Sequence, residues 1–73
     1  MKVLVLSSPG CAGCSDLEEL LRSLDVPYRV VDVTRSPKYL ERYPVMVAPG
    51  LVVDGRLVHC GVPAKDHLVR LLA

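Results

Sequence analysis

Two cysteines separated by two residues, Cys11 and Cys14, stand between an aliphatic run and a helical pattern. The aliphatic run covers residues 3–6 and is rich in β-branched side chains, which predicts a central strand buried on both faces. After the pair, apolar residues recur at the spacing of one helix face: Leu17, Leu20, Leu21 and Leu24. The cysteine pair is therefore expected at the N-terminus of a helix that directly follows a strand.

The middle of the chain adds a second strand and a short helix. Residues 28–33 read as a strand, and the helix before it makes a βαβ unit, which predicts parallel pairing and a right-handed crossover. Residues 34–43 predict a short helix with Ser36 as its N-cap and Pro37 as its first residue. The following residues, 44–49, are hydrophobic and bracketed by prolines, which favours a loop.

The last part of the chain contains a hairpin and a closing helix. Asp54 and Gly55 stand between two β-branched runs, a pattern typical of a type I′ turn. Residues 64–72 predict a helix with Pro63 near its first position. The side chains of this helix that are expected to face the core are Ala64, Leu68, Leu71 and Leu72.

The resulting element order, β-α-β-α-β-β-α, predicts an α/β fold. We expect a four-stranded mixed sheet of order 2-1-3-4 flanked by three helices, with the first two strands parallel and the last two antiparallel. The chain has 73 residues, of which 51% are hydrophobic and 23% charged, so we expect one small domain spanning residues 1–73.

Charge and composition exclude several classes of partner. The net charge is +1 and the basic residues are spread along the chain, so the sequence indicates no basic surface for binding nucleic acid or an anionic membrane. The absence of Trp and Phe also disfavours base stacking. The apolar start of the chain is too short for a signal peptide or a membrane span, so we expect a cytoplasmic protein without a membrane partner. We also expect a monomer.

The cysteine pair indicates thiol chemistry. In a reducing compartment such a pair is more often catalytic or metal-binding than structural. Helix N-terminal amides stabilise a thiolate, so we expect a lowered pKa for Cys11, partly opposed by acidic residues in the first helical turns. Those acidic residues are Asp16, Glu18 and Glu19. Cys11 is then the predicted nucleophile and Cys14 the resolving thiol.

Other interpretations of the pair stay open at this point. Both cysteines can simply be small apolar core residues. A closed zinc site needs four ligands, and only His59, Cys60 and His67 could complete one. A two-coordinate Cu(I) carrier needs no further ligand, and an iron–sulfur carrier could share a cluster through Cys11 in a dimer. No metal ligand is assigned.

The arrangement of strand, cysteine pair and a later Ala48-Pro49 before a strand resembles the thioredoxin fold. Residues 45–55 and 61–63 are similar to the small thioredoxin-like "redox-active disulfide protein" family. The resemblance implies a cis bond at Pro49 beside the cysteine pair, with the Ala48 backbone presented to an extended substrate segment. It also implies a glutaredoxin-like thiol–disulfide oxidoreductase that needs no cofactor. Its substrates would be protein or low-molecular-weight thiols and disulfides, with electrons from an external reductase.

Cys60 is a candidate auxiliary thiol. Counting outward from the predicted turn pairs Val53 with Arg56 and places Cys60 opposite Pro49, close to the active pair. There it could be a third redox thiol or a site of glutathionylation. The alternative is a buried small hydrophobic residue. For the neighbouring His59 and for His67 we expect surface or half-buried positions without chemistry.

Overall fold

The computed structural model describes residues 1–45 and 47–73. Its elements are β1 (Val3–Ser7), α1 (Ala12–Ser23), β2 (Arg29–Asp32), α2 (Lys38–Arg42), β3 (Gly50–Val53), β4 (Arg56–Cys60) and α3 (Lys65–Leu72). The sheet order is β2-β1-β3-β4, with β1 parallel to β2 and antiparallel to β3. The predicted fold class is confirmed. Among the described residues, no helix has the length and apolar character that crossing a membrane requires.

Strand β1 is buried on both faces, as its sequence predicts. Val3 and Val5 face one core and Leu4 and Leu6 face the other, because successive side chains of a strand point to opposite sides. On the first face, α1 and α3 contribute the fully buried Leu17, Leu21 and Leu68. On the second face the core is completed by Val31, Val33, Tyr43 and Val52.

Helix α1 begins at Ala12, with the cysteine pair at its start as predicted, and its acidic residues lie beyond the first turn. The starts of the other two helices differ from their predicted positions. Helix α2 begins at Lys38 with Pro37 as its N-cap, so the assignment of Ser36 to that role is wrong. Helix α3 begins after Ala64, which is its N-cap with an extended backbone and an exposed side chain. Because a residue outside the helix does not share its periodicity, Ala64 does not join the core.

The β3–β4 hairpin has the predicted turn and an unpredicted bulge. Asp54 and Gly55 have φ of 50° and 82°, the positive values that a type I′ turn requires, and Val53 pairs with Arg56. The register then shifts, because Val58 is an extra residue in β4.

This bulge moves Cys60. Beyond it Leu51 pairs with His59, and Gly50 pairs with Cys60. The prediction that Cys60 lies opposite Pro49 is therefore wrong by one residue.

Candidate active site

A tight turn after β1 places the cysteine pair at the carboxyl end of that strand, at the edge of the sheet. Gly10 has a φ of 78°, a left-handed conformation that glycine adopts without steric penalty. The Cys11 amide then donates a hydrogen bond of 3.1 Å to the Ser8 carbonyl oxygen. Cys11 is the N-cap of α1, with an extended backbone, so the predicted position of the pair at the start of a helix is confirmed.

Cys11 and Cys14 form a disulfide with a Cα–Cα distance of 5.6 Å. Cys11 is half-buried, whereas Cys14 lies in the first turn of α1 and is only 7% exposed. Cys11 is therefore the more accessible of the two. No acidic residue stands in that first turn, so the partial positive charge of the helix N-terminus is not opposed there by a carboxylate.

Gly13 brings three segments of the chain together. A Cβ atom added to Gly13 would lie 2.7 Å from Val62 Cγ2 and 3.3 Å from Pro49 Cδ. The first turn of α1 therefore contacts both the segment before β3 and the segment after β4. Sequence reasoning did not single out Gly13 or Val62. The available signal was a glycine inside a helix, which is about 1 kcal/mol less favourable than alanine and indicates a close approach.

Ala48 and Pro49 lie beside this contact. The peptide bond between them is cis, and the Pro49 side chain is fully buried while Ala48 is half-buried. The Gly61 amide donates a 2.7 Å hydrogen bond to the Pro49 carbonyl oxygen. The Ala48 backbone forms no hydrogen bond with another described residue. The segment is thus fixed next to the cysteine pair by Pro49, and the Ala48 amide and carbonyl are left free of partners in residues 1–45 and 47–73.

Cys60 is an exposed free cysteine at the end of β4. Its position opposite Gly50 puts it one residue beyond Pro49 in the ladder. It is not a buried hydrophobic residue. His59 and His67, for which the sequence showed no partner, contact each other edge to face with ring centroids 5.1 Å apart.

The possible zinc ligands are not brought together. Within the described part of the chain, no three His, Cys, Asp or Glu side chains form a group that could hold a metal ion. The set of His59, Cys60 and His67 with the cysteine pair therefore does not make a closed site.

Asp32 lies at the same edge of the sheet as the cysteine pair, because it is paired with Ser7 at the end of β1. The pKa of this carboxyl is lowered, first by the hydrogen bond from the Thr34 hydroxyl and then by the one from the Thr34 amide. Both groups donate to Asp32 Oδ1, at 2.6 and 2.9 Å. The carboxylate is thus engaged in its own loop and is not a candidate base for the cysteines.

Comparison with known proteins gives a family and several relatives. A family model described as a thioredoxin domain matches residues 1–73. The SPbeta prophage-derived thioredoxin-like protein YosR of Bacillus subtilis (strain 168) is 31% identical over 49 residues, which are 67% of this chain. The match spans 61% of the length of that relative.

Solved structures agree with the fold. The thioredoxin-like protein BC3987 superposes with a TM-score of 0.77 at 28% identity, over 97% of this chain and 100% of that one. The glutaredoxin-like NrdH-redoxin from Escherichia coli superposes with a TM-score of 0.82 at 18% identity, over 100% of this chain and 97% of that one. The second likeness shows a shared fold. None of these relatives is described as a metal carrier, so the Cu(I) and iron–sulfur alternatives gain no support.

Proposed function

This chain belongs to the thioredoxin domain family, and on that premise we propose that it is a thiol–disulfide oxidoreductase acting through Cys11 and Cys14. The observation that carries the proposal is the Cys11–Cys14 disulfide at the N-terminus of α1, with one accessible and one buried cysteine. A pair three residues apart can cycle between dithiol and disulfide with little movement of the backbone. The thioredoxin-domain match and the cysteine pair support a thiol–disulfide redox role for the chain.

The reaction begins from the reduced pair. The Cys11 thiolate attacks one sulfur of a substrate disulfide, forms a mixed disulfide and releases the other substrate sulfur as a thiolate. The Cys14 thiolate then attacks the Cys11 sulfur, breaks the mixed disulfide and releases the second substrate thiolate. The products are the Cys11–Cys14 disulfide and a reduced substrate, so two electrons have passed to the substrate. An external dithiol or reductase returns the pair to its reduced state.

The helix N-terminus favours the attacking form of Cys11. An N-cap side chain normally accepts a hydrogen bond from the amide of the second or third helical residue. In the reduced protein the Cys11 thiolate occupies the N-cap position, so the amides of Gly13 and Cys14 are the groups that stabilise its charge. The absence of an acidic residue in the first turn strengthens this effect.

Ala48 and Pro49 are the proposed docking element for the substrate. The Ala48 backbone groups have no partner among the described residues, so they are available to an extended chain that carries the target disulfide. Val62 is 42% exposed beside Gly13 and gives an apolar contact near the pair. Protein disulfides and low-molecular-weight disulfides are both proposed as substrates, and a cytoplasmic location with an external reductase fits this reaction.

Trapping of the mixed disulfide tests the order of the two cysteines. Cys14→Ser should accumulate a covalent adduct with a disulfide-containing peptide, because no second thiol can release it. Cys11→Ser should form no such adduct under the same conditions, and Cys60→Ser should turn over the peptide as the unmodified protein does. The adducts are detected by mass spectrometry after the exchange reaction has been quenched with acid. An adduct that persists in Cys11→Ser and is lost in Cys14→Ser would reverse the assignment. An adduct that requires Cys60 would refute the proposed pair.

A further inference from the structure

A cavity of about 260 Å³ lies at the end of the sheet opposite the cysteine pair. It is formed by Lys2 just before β1, by α2 and by the turn at Gly55. Leu4 also lines the cavity, and strand β1 runs on from Leu4 to Ser7, so roughly 10 Å of strand lies between the cavity and the turn that carries Cys11. The cavity is therefore not part of the thiol site.

The lining of the cavity is cationic. Lys2, Lys38 and Arg42 contribute three positive charges, and no residue that lines the cavity carries a carboxylate. The ion pair found in residues 1–45 and 47–73 is the one between Arg22 and Glu18, so the three cations have no carboxylate partner in that part of the chain. Three like charges around one cavity repel each other unless an anion is present.

The acidic residue of the turn hydrogen-bonds the backbone and does not line the cavity. Asp54 Oδ1 accepts a 2.6 Å hydrogen bond from the backbone amide of Lys2, and Asp54 does not line the cavity. Glu41, on α2 between the cationic residues, does not line it either. Among the described residues no carboxylate lines the cavity beside the three cations, which leaves it open to an anionic ligand.

Tyr43 distinguishes this cavity from a patch of scattered surface charge. Its side chain is only 6% exposed and packs in the second core, yet its hydroxyl has no hydrogen-bond partner among the described residues. The hydroxyl is not sealed from solvent, because no buried side-chain polar atom of the described residues lacks a partner. The hydroxyl is therefore open to solvent at the cavity wall, where it can donate a hydrogen bond to a ligand.

Arg42 approaches the same point. The position of a Cβ atom on Gly55 lies 3.9 Å from Arg42 Nη2 and 4.0 Å from the Tyr43 hydroxyl oxygen. The guanidinium carbon of Arg42 stands 5.4 Å from the centroid of the Tyr43 ring, which holds the cation over the ring face. The guanidinium and the hydroxyl thus converge on one side of the turn.

We propose that this cavity binds the phosphate group of a small molecule. Arg42 and the Tyr43 hydroxyl donate hydrogen bonds to phosphate oxygens, and Lys2 and Lys38 supply further positive charge. A dianionic phosphate matches a site with three cations better than a single carboxylate does. The volume is below the range typical of drug-sized ligands, so the ligand is a free diphosphate or a small phosphate ester.

An NMR titration of the oxidised 73-residue chain tests the proposal. Inorganic pyrophosphate, glycerol 3-phosphate and citrate are added separately at constant ionic strength, and amide shifts of Lys2, Tyr43 and Gly55 are followed. We expect saturable shifts with pyrophosphate or glycerol 3-phosphate and a Kd below about 1 mM. Tighter binding of the first identifies a free diphosphate as the ligand, and tighter binding of the second identifies a phosphate ester.

Three substitutions distinguish a specific phosphate site from a general effect of surface charge. Arg42→Gln should weaken binding about tenfold and Tyr43→Phe about threefold or more, since each removes one donor. Arg70→Gln is the matched control, because it removes one charge from an exposed residue of α3 and should leave the Kd unchanged. An absence of saturable shifts would overturn the proposal. So would equal weakening by Arg70→Gln, or binding of citrate as tight as that of both phosphates.

Discussion

Val62 Cγ2 lies 2.7 Å from the point where a Cβ atom on Gly13 would stand. Folded proteins essentially never contain a Cβ contact this short, so residue 13 has room for glycine alone while Val62 and Pro49 keep their places. The contact joins the first turn of α1 to the segments on either side of the β3–β4 hairpin. It thereby sets where the disulfide stands relative to Pro49.

Gly13→Ala should destabilise the protein. Glycine to alanine within a helix normally stabilises by about 1 kcal/mol, whereas overpacking costs about 1–3 kcal/mol. We expect the steric cost to exceed the gain in helix propensity, because the nearest atoms belong to a branched side chain and a proline ring. Urea denaturation of the oxidised protein measures the change in the free energy of unfolding.

The double variant Gly13→Ala/Val62→Ala isolates the contact. It should be more stable than the sum of the two single changes predicts, because the methyl group that Gly13→Ala clashes with is gone. A gain of stability in Gly13→Ala alone would show that the segment after β4 moves freely, and the close packing described here would then be wrong.

The fold could be predicted because its signals are local. The aliphatic run of β1, the helical spacing after Cys14 and the Asp54-Gly55 turn each depend on a few consecutive residues, and such patterns indicate the element order. The sheet order, with β1 between β2 and β3, also agrees with the resemblance to the thioredoxin fold. The predicted position of Cys60 was wrong because a bulge at Val58 depends on packing across the sheet and not on the turn.

The site itself could be predicted only in part. Cys11 and Cys14 are separated by only two residues, so their spacing can be recognised in the sequence. The contact of Gly13 with Val62 joins residues that are 49 positions apart (62 minus 13). No local sequence pattern predicts a contact between residues so far apart. The cationic cavity likewise combines Lys2 with Arg42, which only the folded sheet brings together.

Asp54→Ala should destabilise the hairpin more than Asp54→Asn. Asp54 has a φ of 50°, and alanine in this left-handed region costs about 1–2 kcal/mol, whereas asparagine tolerates it. Asparagine also keeps an oxygen that can accept the hydrogen bond from the Lys2 amide. Urea denaturation of both variants gives the comparison. Equal destabilisation would mean that the carboxylate charge matters and the backbone conformation does not.

Thr34→Val should raise the pKa of Asp32 towards the ordinary value of an aspartate. The hydroxyl of Thr34 is the largest cause of the lowered pKa, while the Thr34 amide and the charge of Arg35 remain in the variant. The rise is therefore partial. Because the folded pKa lies below the unfolded one, the associated stability is present above the unfolded pKa and is lost as the pH falls through the folded pKa.

NMR titration of the Asp32 carboxyl measures this effect, with Thr34→Ser as the control that keeps the hydroxyl. The pKa in Thr34→Ser should stay as low as in the unmodified protein. An unchanged pKa in Thr34→Val would show that the hydroxyl is not the cause.

The most direct test of the redox account is an equilibrium titration of the chain across a series of oxidised and reduced dithiothreitol ratios. Free thiols are alkylated under acid quench and counted by mass spectrometry, and bound metal is assayed in parallel. We expect one two-electron transition that gains two thiols in a single step, with the same midpoint in Cys60→Ser and no transition in Cys11→Ser or Cys14→Ser. A transition that survives in Cys14→Ser, or stoichiometric metal on the pair without a reversible disulfide, would contradict this expectation.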